Sequence, residues 1–199
     1  MSHYFENDKN LKSEFRTLSY KYDSFSFEFL SDNGVFSKDK IDYGSRLLLE
    51  TYLEKEKTSK KVLDVGCGYG FIGCVISKIN NSHVDMIDVN KRAIHLTNKN
   101  IKNLKLDKAK CFESDAYQNI NDKYDVIITN PPIRVGKAKV LEILLKAFDY
   151  LEEDGTLYYV IRKDQGALSI KKILEEKIEI NILCKDKGYI IFEGKNKNV

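Results

Sequence analysis

From Lys60 onward, short apolar runs alternate with longer segments of helical period, the pattern of a parallel sheet with crossover helices. KVLDV reads as a first strand. FIGCVISKI follows as a helix, with Phe71, Ile72, Val75, Ile76 and Ile79 on one stripe. HVDMID is a second strand, and residues 90–103 form a helix with Asn90 as N-cap and Ala93, Ile94, Ile101 and Leu104 on or near one face. AKCFESD and YDVIIT are a third and a fourth strand. Residues 137–151 predict a long amphipathic helix that stops before Asp154-Gly155, after which TLYYVIR is a fifth strand. Residues 168–177 are a further helix, and EINILCK and GYIIFEG close the chain as an antiparallel hairpin around residues 185–188.

The first 55 or so residues follow another pattern. FSFEFL alternates, residues 31–34 contain the turn dipeptide Asn-Gly, and residues 41–53 have helical period. This predicts a strand-turn-helix extension, 1–55, that covers one face of the sheet built by a core of 60–199. There is no internal repeat, low-complexity linker or second domain in the pattern, so residues 1–199 are expected to form one α/β domain.

The 42% hydrophobic and 32% charged residues are those of an ordinary soluble globular protein. No apolar run approaches the length of a membrane span. The opening MSHYFENDKN shows no secretory pattern, so a cytoplasmic location is expected. Cys67, Cys74, Cys111 and Cys184 are too scattered for CxxC chemistry, and His3, His83 and His95 show no metal-ligand spacing; reduced thiols and no metal are expected. A formal charge of +3 does not by itself announce nucleic acid, which leaves local charge as the informative quantity.

Four chemical signals fall at the carboxyl ends of successive predicted strands, the edge where open α/β sheets bind ligands. In LDVGCGYGFIG, the glycines at 66, 68 and 70 let the backbone turn tightly and approach a ligand at a helix N-terminus. GxGxxG is also satisfied from Gly68 through Gly70 to Gly73, but the strand ends in Asp64 before Gly66, and a carboxylate there repels a pyrophosphate and attracts an ammonium group. Asp88 closes the second strand, placed to accept both hydroxyls of a ribose, with Asp85 as the competing choice. Asp115, in ESDAY, can take the exocyclic amine of an adenine; the alternative is a turn or cap residue. A ribose acid, an adenine acid and an ammonium acid together describe S-adenosylmethionine better than NAD.

The fourth signal is TNPPI, which holds the only two prolines of the chain. Proline gives no amide hydrogen to a sheet and fixes φ, so the pair ends the strand and holds a rigid, extended loop with Asn130 at the strand tip. The Asn130 side-chain carbonyl and the Pro131 backbone carbonyl are two acceptors that suit an NH2 group on a planar, conjugated system. An amine held this way has its lone pair aimed at an electrophile. The plainer reading is a strand terminator.

DVGCGYG, MIDVN, SDAY and TNPPI, in this order and spacing, together with GVFSKDKIDYGSRLLLE, resemble class I S-adenosylmethionine-dependent methyltransferases with an Asn-Pro-Pro motif. The likeness is to the catalytic domain of the small-subunit ribosomal RNA guanine-N2 methyltransferases, the small-domain methyltransferase family, and it covers most of the chain. The resemblance implies a Rossmann-like, seven-stranded, mostly parallel sheet with an antiparallel C-terminal hairpin strand, flanked by helices. It also implies S-adenosylmethionine as cofactor. It makes Asp64, Gly66, Gly68, Asp88 and Asp115 cofactor residues, with Cys67, Val89 and Ala116 beside them, and Asn130, Pro131 and Pro132 the catalytic amine holder, Asn130 bordering the cofactor as well.

Ile133 departs from the family, which usually has an aromatic residue there to stack a flipped base; base-aromatic stacking contributes about 1–3 kcal/mol. Phe36 and Tyr43 can supply that surface or belong to the core. Arg134, Lys137 and Lys139, with Arg162 and Lys163, can border the same mouth, as phosphate contacts or as a solvated helix start and strand end. The expected substrate is an exocyclic amine of a base, guanine N2 in ribosomal RNA, with Ile133, Arg134, Lys137 and Phe36 contacting it. Two rivals are methylation of a protein glutamine amide and a catalytically silent RNA-binding or ribosome-assembly factor.

Overall fold

The computed structural model describes residues 12–197; the opening MSHYFENDKN and His3 lie outside them. Seven strands, β3 (Lys61–Val65), β4 (His83–Asp88), β5 (Ala109–Glu113), β6 (Tyr124–Thr129), β7 (Leu151–Arg162), β8 (Ile178–Asp186) and β9 (Tyr189–Asn196), form one sheet in the order β5-β4-β3-β6-β7-β9-β8. β5, β4, β3, β6 and β7 run parallel, and β9 is antiparallel to both neighbours. The reversal of strand order at β3 leaves a crevice above the tips of β3 and β6, where the first crossover goes one way and the later ones the other.

Both faces of this sheet are covered, which is why its central strands read as nearly unbroken apolar runs. Alternate residues serve the two faces. Val62, Val84, Met86, Val126, Ile128 and Tyr158 meet α1 (Tyr43–Lys55), α2 (Phe71–Asn80) and α3 (Lys91–Asn103). Leu63, Ile87, Ile127, Leu157 and Tyr159 meet α4 (Lys137–Lys146) and α5 (Ala167–Leu174). Asn90 is the N-cap of α3 as the sequence predicts, its side chain accepting from the Arg92 and Ala93 amides.

Two regions differ from expectation. The N-terminal extension is a two-stranded hairpin plus a helix: β1 (Arg16–Tyr22) pairs antiparallel with β2 (Phe25–Ser31) across a tight turn with Asp23 at φ 50°. Only α1 lies on the sheet, with Tyr52 edge-on to Tyr158 at 5.3 Å. The hairpin covers the helices instead, its Phe29 and Tyr20 packing edge-on against Phe71 of α2 at 5.6 and 4.9 Å. Burying one such aromatic side chain contributes about 1.5–3 kcal/mol. Asn100 of α3 fastens it, accepting from the Leu30 amide at 2.8 Å and donating back to the Leu30 carbonyl at 3.0 Å.

The helix expected over residues 137–151 ends at Lys146, a 3-10 turn spans Ala147–Asp149, and Leu151 is already in β7. Leu151 pairs with Tyr124 and the pairing resumes at Val126 with Thr156, so the polar EEDG stretch is a bulge within the strand. No helix among the described residues is long and apolar enough to cross a membrane.

Candidate functional site

The carboxyl tips of β3, β4, β5 and β6 are stitched to one another. Gly66 and Cys67 both donate to the Ile87 carbonyl, Ser114 donates to the Asp88 carbonyl, and the Thr129 hydroxyl donates to the Val65 carbonyl at 2.8 Å. Above them opens a cavity of about 550 Å³ whose wall includes Gly66, Gly68, Asp88, Val89, Asp115, Ala116, Asn130, Pro131, Pro132, Ile133, Arg134 and Phe36. The volume is that of a site for a molecule of cofactor size.

Gly66 and Gly68 adopt φ of 75° and 58°, and a Cβ built on either meets nothing within 4 Å. Their backbone therefore offers itself to a ligand from directions that a side chain would occupy. Asp88 sits half-buried at the tip of β4, with Oδ2 accepting from the Gly68 amide and Oδ1 from the Asn90 amide, each at 2.9 Å. Burial raises its pKa, and the Asn90, Gly68 and Val89 amides pull it back. Asp85, the rival, faces elsewhere: it accepts from the Tyr124 hydroxyl at 2.7 Å and pairs with Lys110. Asp115 is exposed in the turn just past β5, and Lys139 approaches it at 3.6 Å.

Two residues expected at the cofactor lie behind the glycine turn. Alternation along β3 sends Val65 to the cavity and Asp64, with Val62, to the opposite face under α2, where Asp64 is 2% exposed and accepts from the Gly73 amide at 3.0 Å. Burial pushes its pKa up to about 7 against the pull of that amide. A side chain at Gly73 would collide with Met86 and Asp64, so this glycine allows the helix to close over the strand. Cys67 is also buried, its sulfur 3.8 Å from the Thr97 hydroxyl and from the Cys111 sulfur, on the side away from the cavity.

Asn130 follows directly on β6, and Ile133–Val135 close the loop with a 3-10 turn, so the rigid stretch is three residues long. The Asn130 amide nitrogen donates to Ser45 Oγ at 2.8 Å and to Asp42 Oδ2 at 3.1 Å. An ionised carboxylate only accepts, so this contact fixes which end of the amide faces α1 and leaves the Asn130 oxygen as the end available to a ligand. Asp42 is itself the N-cap of α1, accepting from the Ser45 amide at 2.7 Å. Sequence reasoning missed it. An aspartate just before a helix signals a cap, and only the fold brings it to a residue 88 positions away.

The mouth is less basic than the sequence reading proposes. Arg134, Lys139 and Arg162 border the cavity, whereas Lys163 does not and Lys137 is drawn to Ser169 of α5 at 2.6 Å. Lys139 and Arg162 also meet acids, Glu142 at 3.4 Å and Asp164 at 2.9 Å. Phe36 is on the wall, 44% exposed, and its loop is held by Asn90, which donates to the Gly34 carbonyl at 2.8 Å. Tyr43 is not on the wall; it packs at 5.7 Å on Tyr189, which is. Ile133 is shared between the wall and the core beneath α4.

With that geometry, residues 26–193 match the family described as the methyltransferase small domain. The chain belongs to that family. It is a methyltransferase dependent on S-adenosylmethionine, and the cavity fits this cofactor: open glycine backbone, a carboxylate at the β4 tip, a second after β5, and apolar wall from Ile87, Ala116 and Ile143. The uncharacterized protein YbxB of Bacillus subtilis is 41% identical over 197 residues, covering 97% of this chain and 98% of that protein. The ribosomal RNA small subunit methyltransferase C of Aliivibrio fischeri is 34% identical over 192 residues, 94% of this chain and 55% of that one. The T. thermophilus 16S rRNA N2 methyltransferase RsmC, solved in complex with AdoMet and guanosine, superposes with a TM-score of 0.82 at 26% identity, covering 94% of this chain and 52% of that one. The chain thus spans about half the length of these ribosomal RNA enzymes.

Proposed function

We propose that the chain methylates the exocyclic N2 of guanine in ribosomal RNA. The observation that carries this reading is the Asn130 amide, locked by Asp42 and Ser45 so that its oxygen is the end offered to the cavity that also contains Asp88 and the glycine turn. Its likeness to enzymes named for ribosomal RNA methylation, and to one solved with guanosine, supports the substrate class.

When bound, S-adenosylmethionine supplies an electrophilic methyl group on a sulfonium. The chain's part is positioning. Asp88 offers carboxylate oxygens at the β4 tip for ribose hydroxyls, and the Gly66–Gly68 backbone lets the ligand lie close to the start of α2. Asn130 Oδ1 and the Pro131 carbonyl accept the two hydrogens of the target amine, drawing it from planarity and aiming its lone pair. As positive charge develops on that nitrogen both acceptors bind it more strongly, so the stabilisation grows toward the transition state. No strong base is needed, because the proton becomes acidic only as the new bond forms. Asp64 and Cys67, which lie behind the turn, act by holding it in shape.

The test is to incubate the purified protein with radiolabelled cofactor and, separately, ribosomal RNA, small ribosomal subunits, duplex DNA and a release-factor protein. N2-methylguanine as the labelled product is expected. Label on adenine or on a protein glutamine would overturn the guanine reading and leave the cofactor site standing.

A further inference from the structure

We propose that Asp42 reads the base: its second carboxylate oxygen accepts the N1–H of guanine while Asn130 and Pro131 hold the neighbouring amine. The assignment rests on the guanine reading above and names the residue that would enforce it.

Asp42 lies on the cavity wall beside Asn130. Its Oδ2 is occupied twice, by the Ser45 amide at 2.7 Å and by Asn130 Nδ2 at 3.1 Å. These bonds fix the carboxylate and set it next to the amide. Its Oδ1 takes no hydrogen bond from any described residue. An ionised carboxylate has roughly four lone-pair sites over its two oxygens, so acceptor capacity remains at the wall. Guanine is the base whose amine at C2 has a ring N–H next to it, two donors side by side on one edge. In adenine and cytosine the ring nitrogen beside the amine is an acceptor, which would face the carboxylate lone pair to lone pair. A glutamine side chain offers an amine next to its own carbonyl oxygen and meets the same repulsion. An amide that holds an amine is indifferent among these partners; the carboxylate beside it is not, and it selects as much by repelling as by binding.

The experiment compares nucleosides that differ in these donors, using the full chain loaded with S-adenosylhomocysteine and following binding by calorimetry or ligand-observed NMR. Guanosine carries both N1–H and the C2 amine, 2-aminopurine riboside has the C2 amine without N1–H, inosine has N1–H without an amine, and adenosine has a C6 amine beside an acceptor N1. The wild-type chain is expected to prefer guanosine over 2-aminopurine riboside by about tenfold or more, the usual scale for a hydrogen bond to a charged group, and to retain inosine better than adenosine. Asp42→Asn keeps a capping side chain and an acceptor for Asn130, but offers the base an uncharged amide. In that variant the preference should shrink to within about threefold while S-adenosylhomocysteine binds as before. An unchanged preference in Asp42→Asn, or none in the wild type, overturns the assignment. Binding of a glutamine peptide but of neither guanosine nor inosine would overturn the guanine reading, and this assignment with it.

Discussion

Asp88 and Gly68 are joined by a hydrogen bond of 2.9 Å from the glycine amide to the carboxylate, which ties the β4 tip to the turn after β3. One side chain thus shapes the glycine turn and, in the proposed role, meets the ribose. Asp88→Ala should weaken binding of S-adenosylmethionine and of S-adenosylhomocysteine by about 1.5–3 kcal/mol, the range for hydrogen bonds to a charged group. NADH should not bind the wild-type protein, since the cavity wall carries Asp42, Asp88 and Asp115 against a ligand with two phosphates. Calorimetry checks both, and tight NADH binding would sink the cofactor assignment.

Asn130→Ala separates binding from chemistry. The amide borders the cavity at the end of β6 and its nitrogen bonds to Ser45 of α1 and to Asp42, the cap before it, so the contacts at Gly66, Gly68 and Asp88 remain in the variant. Cofactor affinity should stay nearly unchanged while turnover falls by roughly 10²–10³, the usual effect of losing one acceptor or donor that acts on developing charge. Single-turnover kinetics at saturating cofactor reads the difference. Normal turnover would mean that Asn-Pro-Pro is only a strand terminator.

The sheet was legible because each strand of the core is a short apolar run set by local pattern, and the four signals share an edge because parallel strands share a direction. Part of what escaped depends on contacts distant in sequence. The bulge at residues 152–155 exists because Leu151 pairs with Tyr124 before the polar EEDG stretch, and no periodicity carries that information. The hairpin partner β1 was missed, although its apolar Leu18 and Tyr20 alternate with polar Thr17, Ser19 and Lys21. Asp64 was expected at the cavity, but alternation along β3 puts it on the α2 side with Val62, whereas Val65 meets the cavity. Lys137 was counted at the mouth by its nearness in sequence, whereas α4 turns it toward α5.

Asp64 makes the apo protein pH-sensitive. Its carboxyl is raised to about 7 in the folded chain by burial, against about 4 when unfolded. Between these values the folded state holds a proton that the unfolded state has lost, so stability falls as pH rises from about 4 to about 7 and levels off above. The full cost is about 4 kcal/mol by the conversion of pKa to free energy. Asp64→Asn keeps an acceptor for the Gly73 amide and removes the charge. It should match the wild type near pH 4 and be the more stable protein at pH 8, as measured by urea unfolding without cofactor; a constant difference across this range would show that Asp64 titrates normally.

The mouth makes a prediction about salt. Arg134 is exposed on the cavity wall directly after Ile133, so a phosphate flanking a base seated at Asn130 would fall within its reach. Lys137 is three residues further on but is held against Ser169. If RNA is the substrate, its affinity should fall with ionic strength, because each phosphate neutralised releases condensed counterions. Arg134→Ala should then reduce the slope of log affinity against log salt by roughly 0.7–0.9, one phosphate contact, and Lys137→Ala should leave it nearly unchanged. Because Ile133 offers a weaker stacking surface than an aromatic ring and Phe36 is the exposed aromatic on the wall, Phe36→Ala should cost about 1–3 kcal/mol of RNA affinity without altering the slope. Fluorescence anisotropy with a labelled RNA from 50 to 300 mM salt, on the order of a several-fold span, resolves these slopes. A protein glutamine substrate would show almost no salt dependence and no loss at Phe36 that tracks base stacking, so a flat wild-type slope would remove RNA from the reading and leave Asn130 holding an amide instead of a base.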